Sequence, residues 1–166
     1  MRFVAEPLAK HVLHDFRSGN EDLDAWLQQS ARSAVGQGTR TWVVVDANDE
    51  VAGYFAVAPH LLAREDLPRS IGRGAPQQIP AVLLAKLALA ESLHGQGLGS
   101  ELLLIALETI LHAAKRVGGR LVVVDAIDAG ACQFYEHHDF RPIPNGDRRS
   151  VIKLSTVAKA LGVEWS

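Results

Sequence analysis

Leu84-Ala85-Lys86-Leu87-Ala88-Leu89-Ala90-Glu91-Ser92-Leu93-His94-Gly95-Gln96-Gly97-Leu98-Gly99-Ser100 joins an apolar run to three glycines at alternate positions. The run starts at Ala81 and ends at Ala90, which reads as a strand buried on both faces. Periodicity alone does not separate it from a helix, and the glycines after it favour the strand. From Ser100 to Val117, Leu103, Leu104, Leu107, Ile110, Leu111 and Ala114 recur at helical spacing, and Lys115, Arg116 and Gly118-Gly119 mark a helix end. Glycines between a buried strand and a helix let the backbone approach a ligand closely, with several N–H groups pointing one way. The helix start near Leu98 adds partial positive charge, so this turn is a candidate pyrophosphate site that needs no lysine. The competing reading is a tight turn that holds nothing. A nucleoside-triphosphate loop is disfavoured because Gly99 is followed by Ser100 and Glu101. A dinucleotide fingerprint is disfavoured because the turn lies in mid-chain after a hairpin.

Upstream, Leu23, Trp26, Leu27, Ala31, Ala34 and Val35 predict an amphipathic helix from Asn20, its N-cap, to about Val35. Arg40–Asp46 and Val51–Ala58 flank Ala47-Asn48-Asp49-Glu50 and predict an antiparallel hairpin. Pro59, Pro68, Pro76 and Pro80 with Gly72 and Gly74 predict a long connection with room for one helical turn. Downstream, Leu121–Val124 reads as a strand, Asp128 as the cap of a helix over Ala129–His138, and Val151–Leu154 as a last strand. Thr156–Ser166 is either a short helix or a loose tail.

The chain has 166 residues, 48% apolar and 22% charged, which suits one domain with a real core. Seventeen Lys and Arg against nineteen Asp and Glu give a net charge of -2, so a polyanion would have to meet a local patch. The single Cys132 excludes a disulfide framework, and without acid and base partners it is a poor nucleophile. Met1 to Gly19 carries no secretory pattern, and Lys86 interrupts an apolar run far short of the roughly 20 residues that cross a bilayer. The expected compartment is the cytoplasm, with no membrane partner. His137 and His138, adjacent on a helix, point about 100° apart and cannot easily share a metal; no metal is expected.

On Leu93-His94-Gly95-Gln96-Gly97-Leu98-Gly99 the chain resembles the pyrophosphate loop of the GNAT superfamily of acyl-coenzyme A dependent N-acyltransferases. Gly97 and Gly99 match the family pattern, and His94 stands where Gln or Arg is usual. Phe134-Tyr135-Glu136-His137-His138-Asp139-Phe140 resembles the family's second landmark, with Asp139 in place of a glycine at a position that calls for a left-handed backbone. The resemblance implies an α+β fold, a single domain over residues 1–166 with its core at about 16–154, and a mixed, mostly antiparallel sheet flanked by helices with a wedge between two central strands. It implies acetyl-CoA as acyl donor, held by Leu87, Ala88, Leu89, His94, Gly95, Gln96, Gly97, Leu98, Gly99 and Ser100. It gives Tyr135 the role of protonating the departing thiolate, which a phenol of pKa near ~10 can do. The bland reading of Tyr135 is a core aromatic with its hydroxyl on a backbone carbonyl. No dedicated base is expected, because much of an esterified α-amine is already neutral at physiological pH.

Phe16-Arg17-Ser18-Gly19, Leu23-Asp24-Ala25-Trp26-Leu27, Val51-Ala52-Gly53-Tyr54-Phe55, Leu84-Ala85-Lys86-Leu87-Ala88-Leu89 and Val124-Asp125-Ala126 resemble the toxin branch of that superfamily. Lys86 stands where the branch commonly has Arg. This resemblance implies acetylation of aminoacyl-tRNA with arrest of translation, a ribbon-helix-helix antitoxin as partner, and a homodimer. Arg69, Arg73, Lys86, Arg148 and Arg149 are the candidate RNA-facing cations. Trp26 and Trp42 are expected in the core. The alternative acceptors are a small-molecule amine or a protein amine, and a different class of function is coenzyme A sensing without transfer.

Overall fold

Asn20 opens the first helix as its sequence predicts: its side-chain oxygen accepts from the Leu23 N–H at 3.0 Å. The computed structural model describes residues 2–144 and 146–166, with five helices and seven strands among them. They run β1 (Val4–Pro7), α1 (Glu21–Gln29), β2 (Arg40–Val45), β3 (Val51–Ala63), α2 (Arg69–Gly72), β4 (Gln78–Leu89), α3 (Leu98–Val117), β5 (Leu121–Asp125), α4 (Ala129–His137), β6 (Arg141–Pro142), β7 (Arg149–Lys153) and α5 (Leu154–Leu161). The strands form a seven-stranded sheet in the order β1-β2-β3-β4-β5-β7-β6. β4 and β5 pair in parallel, with α3 as the crossover that parallel strands require. The described pairings β1–β2, β2–β3, β5–β7 and β6–β7 are antiparallel.

Contacts group the chain into two compact units. In the first, Met1–Ala58 with Ala85–Ala106, α1 buries Leu27 against Leu13, Phe16, Val43, Val45, Tyr54 and Ala88. Asp24 is also buried there, and its carboxylate accepts from the Ser18 N–H at 3.0 and 3.1 Å and from the Ser18 hydroxyl at 2.6 Å. That network fixes the segment leading into α1. In the second, Pro59–Leu84 with Leu107–Ser166, Leu62, Ile71, Ile79, Ala81, Leu121, Val123 and Val151 form a separate apolar cluster.

Several expectations are corrected. The helix predicted to Val35 stops at Gln29, and a 3-10 turn covers Ser33–Gln37. The long connection from Pro59 to Pro80 is largely ordered: β3 continues through Pro59 to Ala63, a 3-10 turn covers Arg64–Asp66, α2 comes next, and β4 begins at Gln78. Exposed Leu61 next to buried Leu62 is the strand alternation that the prolines obscured. The last strand begins at Arg149; of the two readings of the tail, the helix holds, closed by Gly162 in the left-handed conformation. β1 and the two-residue β6 were not foreseen. Trp26 and Trp42 are half-buried and stack on Tyr54 and Phe55, with ring centroids 6.0 and 6.3 Å apart.

β4 changes its surroundings along its length. Its register with β5 runs from Ala81↔Leu121 to Leu84↔Val124 and ends there, whereas β4 itself continues to Leu89. Along the same strand the buried positions shift phase, from Ile79 and Ala81 to Leu84 and Ala88. On the β3 side, Gly53 is required by close approach: a Cβ there would meet the Ala88 carbonyl oxygen at 2.9 Å. Gly53→Ala therefore forces β3 away from the final residues of β4, and we expect a loss of about 1–3 kcal/mol, read from the midpoint of urea unfolding. An unchanged midpoint would show that the strands yield freely at this point.

Candidate functional site

The glycine turn has the geometry that a backbone cradle needs. Gly95 and Gly97 adopt φ of +77° and +76°, conformations that L side chains rarely take, and a Cβ at either would meet nothing within 4 Å. Backbone conformation, not lack of space, thus selects glycine, and the surface of the turn is open. Gly99 and Ser100 lie in the first turn of α3, the positive end of the helix. Leu98 begins that helix. His94, which replaces the family's Gln or Arg, sets its Nε2 3.0 Å from the carbonyl oxygen of Leu89 and so ties the loop to the end of β4. The Gln96 amide makes only a long contact of 3.5 Å to the Ser92 carbonyl. Of the other expected donor-binding residues, Ala88 is buried against the α1 cluster, and Leu87 and Leu89 are half-buried.

Tyr135 lies on α4, whose N-cap Asp128 accepts from the Ala131 N–H at 2.8 Å. Its ring is 8% exposed and packs on Phe134 and Phe140, with centroids 5.4 and 5.3 Å away. Asp139 takes the expected left-handed conformation, φ +71°, and the chain turns so that the Phe140 N–H reaches the Tyr135 carbonyl at 3.1 Å. Burial pushes the Tyr135 phenol up to about 12, so it stays protonated across the physiological range. The bland reading of a core tyrosine is met instead by Tyr54, whose hydroxyl donates to the Leu23 carbonyl at 2.6 Å. Among the described residues the Tyr135 hydroxyl takes no such partner. A protonated phenol with an uncommitted O–H can act as a general acid. The nearby His137 and His138 are in edge-to-face ring contact, and His138 also packs on Phe134.

The five candidate RNA-facing cations differ in how free they are. Arg69 opens α2 and Arg73 directly follows it; both are exposed, and neither side chain has a partner among the described residues. Arg148 is exposed at φ +57° and donates to the Ile127 carbonyl at 2.9 Å. Lys86 is half-buried, its Nζ 5.5 Å from the centre of the Trp26 ring. Arg149, placed by sequence before the final strand, is instead the first residue of β7 and lies opposite Asp125 in the ladder. Its Nε and Nη2 donate to the two Asp125 oxygens at 2.7 and 2.9 Å, and its Nη1 lies 3.1 Å from His60 Nε2. That guanidinium is committed to Asp125 and His60, unlike the exposed Arg69 and Arg73. His60 was missed because only the folded sheet brings it to Arg149, 89 positions away along the chain. Asp125 was legible only as part of Val124-Asp125-Ala126.

Residues 37–142 match the acetyltransferase (GNAT) domain. The chain is 34% identical over 146 residues to a tRNA-acetylating toxin of Mycobacterium tuberculosis, covering 88% of this chain and 87% of that one. Its fold is also that of the toxin AtaT in complex with acetyl-methionyl-tRNAfMet, with a TM-score of 0.86 at 24% identity over 96% of this chain and 99% of the other. A tyrosine-to-phenylalanine variant of AtaT bound to the C-terminus of the antitoxin AtaR matches with a TM-score of 0.81 at 23% identity, over 97% and 98% of the two chains. With the family match covering most of the sequence, and with both landmark segments in the conformations their sequences called for, the chain belongs to the GNAT acetyltransferase family.

Proposed function

We propose that this acetyltransferase moves the acetyl group of acetyl-CoA to the α-amine of an aminoacyl-tRNA, and so acts in the cytoplasm as the translation-blocking toxin of a toxin–antitoxin pair. The observation that carries the reading is the nearly full-length similarity to a tRNA-acetylating toxin. The whole chain is taken as one acetyltransferase domain, working as a homodimer and restrained by a ribbon-helix-helix antitoxin.

The local geometry supports a role for each residue. The amides of Gly97, Leu98, Gly99 and Ser100, with Gly95 and Gln96 shaping the turn and His94 anchoring it, hold the donor's diphosphate at a helix start. Leu87, Ala88 and Leu89 lie where β4 has outrun its register with β5, and their main-chain groups pair with the pantetheine arm as an added strand would. The neutral amine attacks the thioester carbonyl carbon; the N–C bond forms, the C–S bond breaks, and the thiolate takes the Tyr135 hydroxyl proton. The amine's surplus proton goes to water, and the Tyr135 phenolate regains a proton from water before the next turnover. A dry environment that raises the phenol also raises the thiolate, which keeps that transfer feasible. Arg69, Arg73, Lys86 and Arg148 track the tRNA phosphates, with Arg149 a lesser contributor.

The direct test loads tRNAs with amino acids and monitors labelled acetyl passing from acetyl-CoA to the amine. Transfer to at least one charged tRNA is expected; transfer only to small or protein amines would establish the alternative acceptor. Tyr135→Phe should lower kcat by about 10²–10⁴ with little change in the KM for acetyl-CoA, and should relieve growth arrest on expression. An unchanged kcat would remove Tyr135 from the chemistry. Because Tyr135 works when protonated and its pKa stands at about 12, kcat/KM should rise as the substrate amine loses its proton near ~pH 8 and show no falling limb near ~pH 10. A fall centred near ~pH 10 would place the acid in an ordinary, solvated phenol.

A further inference from the structure

Asp125 is the final residue of β5 and comes directly after Val124, the last residue of that strand in register with β4. It therefore stands where the two parallel strands cease to pair. Arg149 fixes its carboxylate from the adjacent antiparallel strand through two donors, in the fork geometry that sets both position and orientation. The third guanidinium nitrogen lies 3.1 Å from His60 Nε2, and because arginine cannot accept, Nε2 is the acceptor and the neutral ring carries its proton on Nδ1. Burial and the Arg149 charge hold His60 below its ordinary pKa, which keeps it in this accepting form.

Such a trio could be no more than a cross-strand brace. Its exposure points further: the Arg149 side chain is 28% exposed and the Asp125 side chain 50% exposed, so the carboxylate keeps lone pairs available to a ligand. Asp125 and Arg149 also line a cavity of about 420 Å³ together with apolar Leu62, Ile143 and Pro144 and acidic Glu65, Asp66 and Asp147. A short apolar body bearing an amine suits that lining, whereas a phosphate does not.

We propose that Asp125, oriented by Arg149 and His60, receives an N–H of the acceptor's α-amine and so positions the aminoacyl end for attack. This inference rests on the aminoacyl-tRNA reading given above. A carboxylate accepts from an amine in either protonation state and leaves the lone pair of the neutral form directed elsewhere. Asp125 is a poor base, since the Arg149 hydrogen bonds hold its carboxyl below the ordinary carboxylate range. Its role is to hold the nucleophile; Arg149 and His60 act through it as positioning residues.

The test compares binding of two tRNA probes, one with an amide-linked, non-hydrolysable aminoacyl end and one deacylated. The wild-type protein should prefer the aminoacylated probe by about tenfold, the equivalent of one charged hydrogen bond. Asp125→Asn should bind both alike and raise the KM for charged tRNA about tenfold, with affinity for acetyl-CoA unchanged. Asp125→Glu should restore part of the preference. The double variant Asp125→Asn with Arg149→Gln leaves no unpaired charge, so it tests the same loss if the single variant folds poorly. A preference that persists in a folded variant, or a parallel fall in acetyl-CoA affinity, would overturn the proposal. If the wild-type enzyme acetylates no charged tRNA, the underlying reading fails and takes this inference with it; if it does and Asp125→Asn keeps the preference, the inference alone fails.

Discussion

A parallel ladder that stops while one of its strands continues is the constraint on which the rest of this structure depends. β4 leaves its register with β5 at Leu84↔Val124 and runs on to Leu89. Backbone N–H and C=O groups at the centre of a sheet are not left unmatched, so a strand that outlives its neighbour offers a template for another extended chain. The chain then turns through two left-handed glycines directly into the start of a long helix. Extended main chain leading into a cluster of amides suits a ligand that is itself an amide-bearing arm joined to a diphosphate.

The two buried tyrosines show how one side chain serves two ends. Tyr54 gives its hydroxyl to the Leu23 carbonyl, stacks on Trp26 and meets the edge of Phe16, so its polar atom is consumed in holding α1 to the sheet. Tyr135 also buries its ring, against Phe134 and Phe140, and keeps its hydroxyl uncommitted among the described residues. Burial keeps both phenols protonated, but only one has its proton free to give.

Most of the fold was legible because its signals are local. Helical spacing in α3, the Asn20 and Asp128 caps, the hairpin of β2 and β3, and the strand before the glycines all derive from neighbours a few residues apart. Asp139 was readable as left-handed because few residues tolerate that conformation after a helix. What escaped depends on distant partners. β1 is a strand because it pairs with β2, and β6 because it pairs with β7; neither four residues nor two carry a period. The prolines between residues 59 and 80 concealed an extended β3. At the candidate site, motif reading singled out the glycine turn and Tyr135 as candidates, because their signals lie in contiguous residues. It placed Arg149 before the final strand instead of within it, and passed over His60, whose contact with Arg149 arises only in the folded chain.

The proposed chemistry requires that the end of β4 and the glycine turn together grip the acyl donor through main-chain groups. Residue-resolved amide hydrogen exchange with and without acetyl-CoA measures this directly. It should show new protection at Gly97, Leu98 and Gly99 and at Leu87, Ala88 and Leu89, with Leu121–Val124 unchanged. Acetyl-CoA that binds while those amides exchange as before would contradict it.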